Sequence, residues 1–106
     1  MAAPDSSRGR RSRARAHPPR SAQGHPRAVI ARAFGTALRD LRLARGLTQD
    51  ALAEAAGLDR TYPSLLERGL RVPTFLLMWR LAAALGVPVT ELTDRTQSEI
   101  AKLSSP

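Results

Sequence analysis

Side chains whose types and spacing could do chemistry are gathered between Gln49 and Arg71. Thr61, Ser64, Leu65 and Arg68 stand at i, i+3, i+4 and i+7, one face of a helix, with Arg60 at the head of the row. Guanidinium forks, hydroxyls and one branched apolar group make a surface that grips planar or anionic acceptors. They do not make a reaction centre. The chain has no Cys, which excludes disulfides, thiolate metal sites, iron–sulfur clusters and thiol nucleophiles. Its two His, His17 and His25, lie in a Pro- and Arg-rich stretch, leaving the rest of the chain with neither a His base nor a His metal ligand. No nucleophile, base and oxyanion donor can be assembled from the carboxylates, Ser, Thr and Tyr that remain, so an enzyme, a bound metal and a cofactor are all unexpected.

The 106 residues leave room for one domain, and 42 % hydrophobic content supplies a modest core. A net charge of +8 favours an anionic partner, nucleic acid before an acidic membrane surface. Residues 1–27 carry seven Arg (Arg8, Arg10, Arg11, Arg13, Arg15, Arg20, Arg27) against Asp5, a net of +6. Residues 28–106 hold ten basic and eight acidic side chains, a net of +2. Sixteen of the 17 basic residues are Arg, which genomic base composition explains as well as selection for guanidinium chemistry does. With four Pro, two Gly, four Ser and almost no large apolar residue, residues 1–26 cannot bury enough surface to offset their ordering entropy and read as a disordered basic arm. No apolar run approaches the roughly 20 residues that span a bilayer, and the start lacks the apolar centre of a secretory signal. No membrane partner is expected, and the cytoplasm is the expected location. An Arg-, Ser- and Ala-rich start also has the composition of an organellar transit peptide, but its four Pro interrupt any amphipathic helix.

The elements that must position the Gln49–Arg71 residues are helices. Ile30, Phe34, Leu38 and Leu41, with Ala33, Ala37 and Ala44 between, recur at three and four residues and predict a helix from Arg27 that stops at Gly46. Thr48 is the N-cap of a second, short helix with Leu52, Ala53 and Ala56 on one face, ended by Gly57. Asp59 is the cap candidate for a third helix to about Arg68, with Gly69 as its stop. After a loop from Leu70 to Pro73, Thr74 caps a fourth helix whose core stripe is Phe75, Met78, Leu81, Ala82 and Leu85, stopping at Gly86. A short fifth helix through Leu92 follows Pro88. Residues 94–106, with Ile100 and Leu103 among polar neighbours, read as a frayed helix, a dimer contact or a tail. The reading is all-α, divided into a disordered basic arm at 1–26, a helical domain at 27–93 and a C-terminal tail or dimer contact at 94–106.

Two helices of three turns or fewer, joined through Ala56-Gly57-Leu58 and flanked by core-building helices, follow the helix-turn-helix plan. The stretch GLTQDALAEAAGLDRTYPSLLERGLRVPT from Gly46 to Thr74, with LAAALGV from Leu81 to Val87, resembles the Cro/phage-repressor (XRE-type) family of DNA-binding domains, over roughly residues 34–92. The resemblance implies a compact five-helix, lambda-repressor-like domain that inserts its third helix into the major groove of double-stranded DNA. It implies that Arg60, Thr61 and Leu65 read base edges, with Ser64 on the same face. Arg60 suits guanine O6 and N7, or else a phosphate; Thr61 or Leu65 suits a thymine methyl. Gln49 matches the position where the second helix meets a phosphate. Arg68 and Arg71 fall where the following loop runs beside the backbone. Glu67 is implied to pair with Arg42 in a shielded ion pair that sets how the helices cross. Ala53 is small where two backbones approach, and Leu47, Leu52, Ala56, Leu58 and Leu66 fill the core. The chain departs from the family at Pro63, where relatives carry Ile or Val. Proline there permits a third helix that begins at Pro63, with Arg60 and Thr61 in the turn and Tyr62 beside the sugar-phosphate backbone.

The arm reads either as a further DNA contact or as a solubilising tail. Leu76, Trp79 and Ala83 form a second apolar stripe on the fourth helix, covered either by a partner or by the fifth helix and C-terminal segment of the same chain. Family members usually bind paired half-sites, so a homodimer is expected. The function that follows is a sequence-specific transcriptional regulator, a repressor, nucleoid-associated when DNA-bound. Two other classes stay open: an antitoxin or regulatory subunit that binds a protein partner and uses DNA binding for autoregulation, and a non-specific nucleic-acid binder driven by the arm.

Overall fold

Helix formation follows the apolar spacing. The structure is a computed structural model that describes residues 26–104; the readings made for residues 1–25, disordered arm and transit peptide alike, lie outside the described residues. Five helices and no strand occur among them: α1 (Arg27–Ala44), α2 (Gln49–Ala56), α3 (Tyr62–Glu67), α4 (Phe75–Leu85) and α5 (Val89–Ser104). Thr48 and Thr74 cap α2 and α4 as their positions predict, each hydroxyl accepting from a backbone N–H three residues on, Ala51 at 3.0 Å and Leu77 at 3.1 Å. At the end of α2 the chain turns through Gly57 with φ +71°, a left-handed conformation in which a side chain would be strained.

The core is built of leucines, one or more from each helix. Leu38, Leu52, Leu66, Leu81, Leu85 and Leu92 are all fully buried, each contributing about 1.5–3 kcal/mol on leaving water. Leu47 and Leu58 lie half-buried against them. Gly35, in the middle of α1, lets α3 come close: a Cβ there would stand 2.5 Å from the Leu66 carbonyl oxygen and 2.6 Å from that of Glu67. The C-terminal end of α3 therefore rests directly on the α1 backbone.

Three expectations change. The fifth helix does not stop near Leu92 but runs on to Ser104, because Ile100 is buried while α5 packs along α1. Phe75 is not part of the core stripe of α4. It is 63 % exposed, one turn beyond the stretch that α2 and α5 cover, and its ring leans on Trp79. The third helix starts at Tyr62, neither directly after Asp59 nor at Pro63, and puts Pro63 at its second position, where a missing N–H leaves no intrahelical bond unmade. The Pro63 ring is fully buried in place of the expected β-branched side chain.

Candidate nucleic-acid interface

The late start of α3 is set by Asp59. Its carboxylate accepts from the Thr61 N–H at 3.2 Å and from the Thr61 hydroxyl, and its carbonyl accepts from the Tyr62 N–H at 3.0 Å. These bonds make a turn in which Arg60 and Thr61 precede the helix, with Thr61 already in right-handed helical backbone. Led by the hydroxyl bond, the two bonds from Thr61 hold the Asp59 carboxyl below the usual carboxylate range. Because the Leu65 N–H still bonds the Thr61 carbonyl at 3.3 Å and the Arg68 N–H the Ser64 carbonyl at 3.1 Å, the row Thr61, Ser64, Leu65, Arg68 keeps its helical spacing.

The row is accessible in graded fashion. Arg60 and Thr61 are exposed, Ser64 and Leu65 half-buried, and Arg68 exposed. The Arg60 guanidinium lies 3.9 Å from an Asp50 carboxylate oxygen, with both side chains at least 70 % open to water. Such a pair is worth little and releases the guanidinium readily. Arg68 folds back, its Nε donating to the Ser64 carbonyl at 3.3 Å and hydroxyl at 3.2 Å. Arg71 is exposed in the loop beyond, its Nη1 donating to the Leu70 carbonyl at 3.4 Å. Tyr62 is half-buried and its ring packs on the core, which commits part of its surface.

Beneath this face sits one polar network. Arg42 of α1 donates to both carboxylate oxygens of Glu67 in α3, Nε at 2.6 Å and Nη2 at 3.0 Å, while its Nη1 donates to the Leu47 carbonyl at 2.8 Å. The two side chains are only 10 % and 3 % exposed. The carboxylate bond raises the Arg42 guanidinium further above its ordinary value, against the opposing effect of burial. Gln49 joins the network from the first position of α2, its amide donating to Glu67 at 2.9 Å. One N–H of that amide is used and the other remains for an acceptor outside. Glu67 therefore ties α1, α2 and α3 together and orients Gln49. Among the described residues the structure thus brings Arg42, Gln49 and Glu67 into contact and leaves Arg60 and Thr61 at the entrance of α3. The role of Gly35 in seating α3 is a feature that spacing did not reveal; its signal is a glycine between Ala33 and Ala37 in a helix otherwise rich in alanine.

A second surface lies on α4. Phe75, Leu76 and Trp79 are 63 %, 60 % and 57 % exposed, and the Phe75 and Trp79 rings meet at 5.8 Å with a tilt of 56°. The start of α5 borders Trp79 along a shallow groove with Val89 and Thr90 but leaves more than half of each side chain open to water. No single helix among the described residues is long and apolar enough to cross a membrane.

Comparison with known proteins agrees with this architecture. The profile of the family described as Helix-turn-helix matches residues 38–92. An uncharacterized HTH-type transcriptional regulator, y4dJ of Sinorhizobium fredii, is 42 % identical over 62 residues, 58 % of this chain and 80 % of that protein. Among solved structures, the restriction-modification controller protein C.AhdI from Aeromonas hydrophila superposes with a TM-score of 0.57 at 44 % identity, covering 58 % of this chain and 94 % of that one. The controller protein C.Esp1396I, solved as a tetramer in complex with its natural 35 base-pair operator, gives a TM-score of 0.62 at 30 % identity over 67 % of this chain and 93 % of that one. With half of its length matched by the family profile and with these relatives, the chain belongs to the XRE-type helix-turn-helix family.

Proposed function

We propose that this chain is a transcriptional regulator that binds a short pseudo-palindromic DNA site as a homodimer and acts as a repressor. The observation that carries the reading is the α3 entrance. Arg60 and Thr61 project from a turn fixed by Asp59 at the N-terminal end of α3, a helix whose other end is anchored by the buried Arg42–Glu67 pair. Arg60 supplies a bidentate donor for guanine, Thr61 and Leu65 supply methyl groups for thymine, and Gln49, Arg68 and Arg71 hold phosphates on either side. Ser64 supports this face through its bond to Arg68, and Tyr62 lies beside the sugar-phosphate backbone. Repression follows from occupancy: a DNA-bound dimer excludes other proteins from the same stretch without any further catalytic or activating part.

The exposed Phe75, Leu76 and Trp79, continued by Ala83, are the second element of the proposal. Aromatic residues concentrate at interface cores, and a two-fold contact here would pair two α3 helices about one helical turn of DNA apart. The same patch favours a second reading, in which it holds a different protein and the chain serves as an antitoxin or regulatory subunit that also represses its own gene. Selection of binding sites from random duplex DNA at near-physiological salt tests the first reading. The expected result is a short motif with two-fold symmetry. Tight, salt-sensitive binding with no motif would contradict it and turn attention to an architectural role for the basic arm.

A further inference from the structure

The start of α1 and the loop that follows α3 enclose a cleft of about 450 Å³ lined by Arg27, Ala28, Ala31, Gly69, Leu70, Arg71 and Val72. Its lining includes two arginines and no carboxylate. Arg32 stands on its rim, with its Cγ 3.1 Å from the point that a Cβ on Gly69 would occupy, and Arg68 immediately precedes that glycine. Arg27, Arg32, Arg68 and Arg71 are all exposed, and none forms an ion pair with a carboxylate among the described residues. The nearest acid in sequence, Glu67, is turned inward and occupied by Arg42 and Gln49. Arg27 and Arg71, from two separate segments, thus line one cleft, with the Arg32 stem against Gly69 at its edge and Arg68, its guanidinium turned back to Ser64, one residue before that glycine. Like charges held together repel, so the arrangement is stabilised when an anion lies across it.

We infer that Arg27 and Arg32 of α1, acting with Arg68 and Arg71, form a phosphate-binding site for the DNA backbone that flanks the base pairs under α3. The inference rests on the DNA-binding reading above and deepens it by naming contacts on α1, an element outside the helix-turn-helix. A loop cation alone would touch the backbone at one point. The α1 arginines extend the contact past the loop, on the side from which the Arg-rich residues 1–26 join the domain. The site positions the protein on the duplex and reads no sequence.

The test measures affinity for the selected site and for random duplex between 50 and 200 mM salt, using the full chain. Wild type is compared with Arg27→Gln/Arg32→Gln, which keeps part of each side-chain stem, and with Arg80→Gln/Lys102→Gln, which removes equal charge from α4 and α5. Circular dichroism verifies that each is folded. Loss of two phosphate contacts lowers the slope of log affinity against log salt by about 1.8. Over that fourfold salt range the α1 variant then loses about twelvefold less affinity than wild type, with its ratio of specific to random binding unchanged. An unchanged slope, or an equal drop in the α4/α5 variant, overturns the inference while leaving the DNA-binding reading intact. Absence of any motif for wild type itself counts against that reading instead.

Discussion

Replacing Glu67 by Ala isolates the energetics of the network under α3. The change removes the acceptors for Arg42 Nε and Nη2 and for the Gln49 amide, leaving Arg42 only 8 % exposed with the Leu47 carbonyl as its one remaining protein partner. Stranding a buried charge in this way costs about 3–5 kcal/mol. A folded unit of about 80 residues has a total stability of roughly 4–12 kcal/mol, so the variant loses at least a quarter of it. Replacing both partners, Arg42→Met with Glu67→Leu, removes the desolvation penalty along with the attraction and is expected to cost less than either single substitution. Urea denaturation followed by circular dichroism measures Glu67→Ala, Arg42→Met, Glu67→Leu and the double variant against wild type. A loss below about 1 kcal/mol for Glu67→Ala, or a double variant whose loss is the sum of the singles, would refute the claim that the pair is shielded and coupled.

Other substitutions probe the remaining parts. Gly35→Ala gains about 0.5–1 kcal/mol of helix propensity but sets a Cβ at 2.5 Å from a backbone oxygen that no rotamer change can move. Overpacking of that kind costs about 1–3 kcal/mol, so a net loss of roughly 1–2 kcal/mol in chemical denaturation is expected, with weakened DNA binding because α3 is displaced. Trp79→Lys should leave thermal stability almost unchanged and convert the protein to a monomer in analytical ultracentrifugation at micromolar concentration; a wild type already monomeric there would contradict the α4 interface. The lowered Asp59 value contributes stability that is present above the ordinary carboxylate range and is lost as pH falls through that lowered value. Acid titration of Asp59→Asn should lack that component, and identical acid profiles for variant and wild type would contradict it. Deleting residues 1–26 should weaken binding to all sequences and flatten its salt dependence without altering the preferred site.

What the sequence made legible was local. Thr48, Thr74 and Gly57 act within one turn of their own positions, so cap and stop chemistry located α2 and α4 without reference to the rest of the molecule. Leu52 and Leu81 each stand on the apolar stripe of their own helix and are buried. Illegible features depend on partners distant in sequence. The extension of α5 to Ser104 rests on burial of Ile100, which shares a helical face with Leu92 and Leu103 but is separated from Leu92 by seven polar residues, so the stripe is sparse. Phe75 fits the core period of α4 but lies beyond the segments that cover that helix, which a period alone does not encode. The start of α3 depends on a contest between a cap residue and a proline, and both took part: Asp59 holds the turn and Pro63 enters the helix at its second position. Gly35 and the bond from Gln49 to Glu67 express how α1, α2 and α3 cross, which becomes visible only in three dimensions.

The central claim is that the entrance of α3 reads DNA sequence, and site selection from random duplex with wild type beside Arg60→Ala/Thr61→Ala tests it most directly. The account predicts a two-fold motif for wild type and its loss, or relaxation at the positions under the α3 entrance, in a variant that stays folded and keeps salt-sensitive binding to random DNA. Recovery of the same motif by the variant at unchanged strength would contradict it.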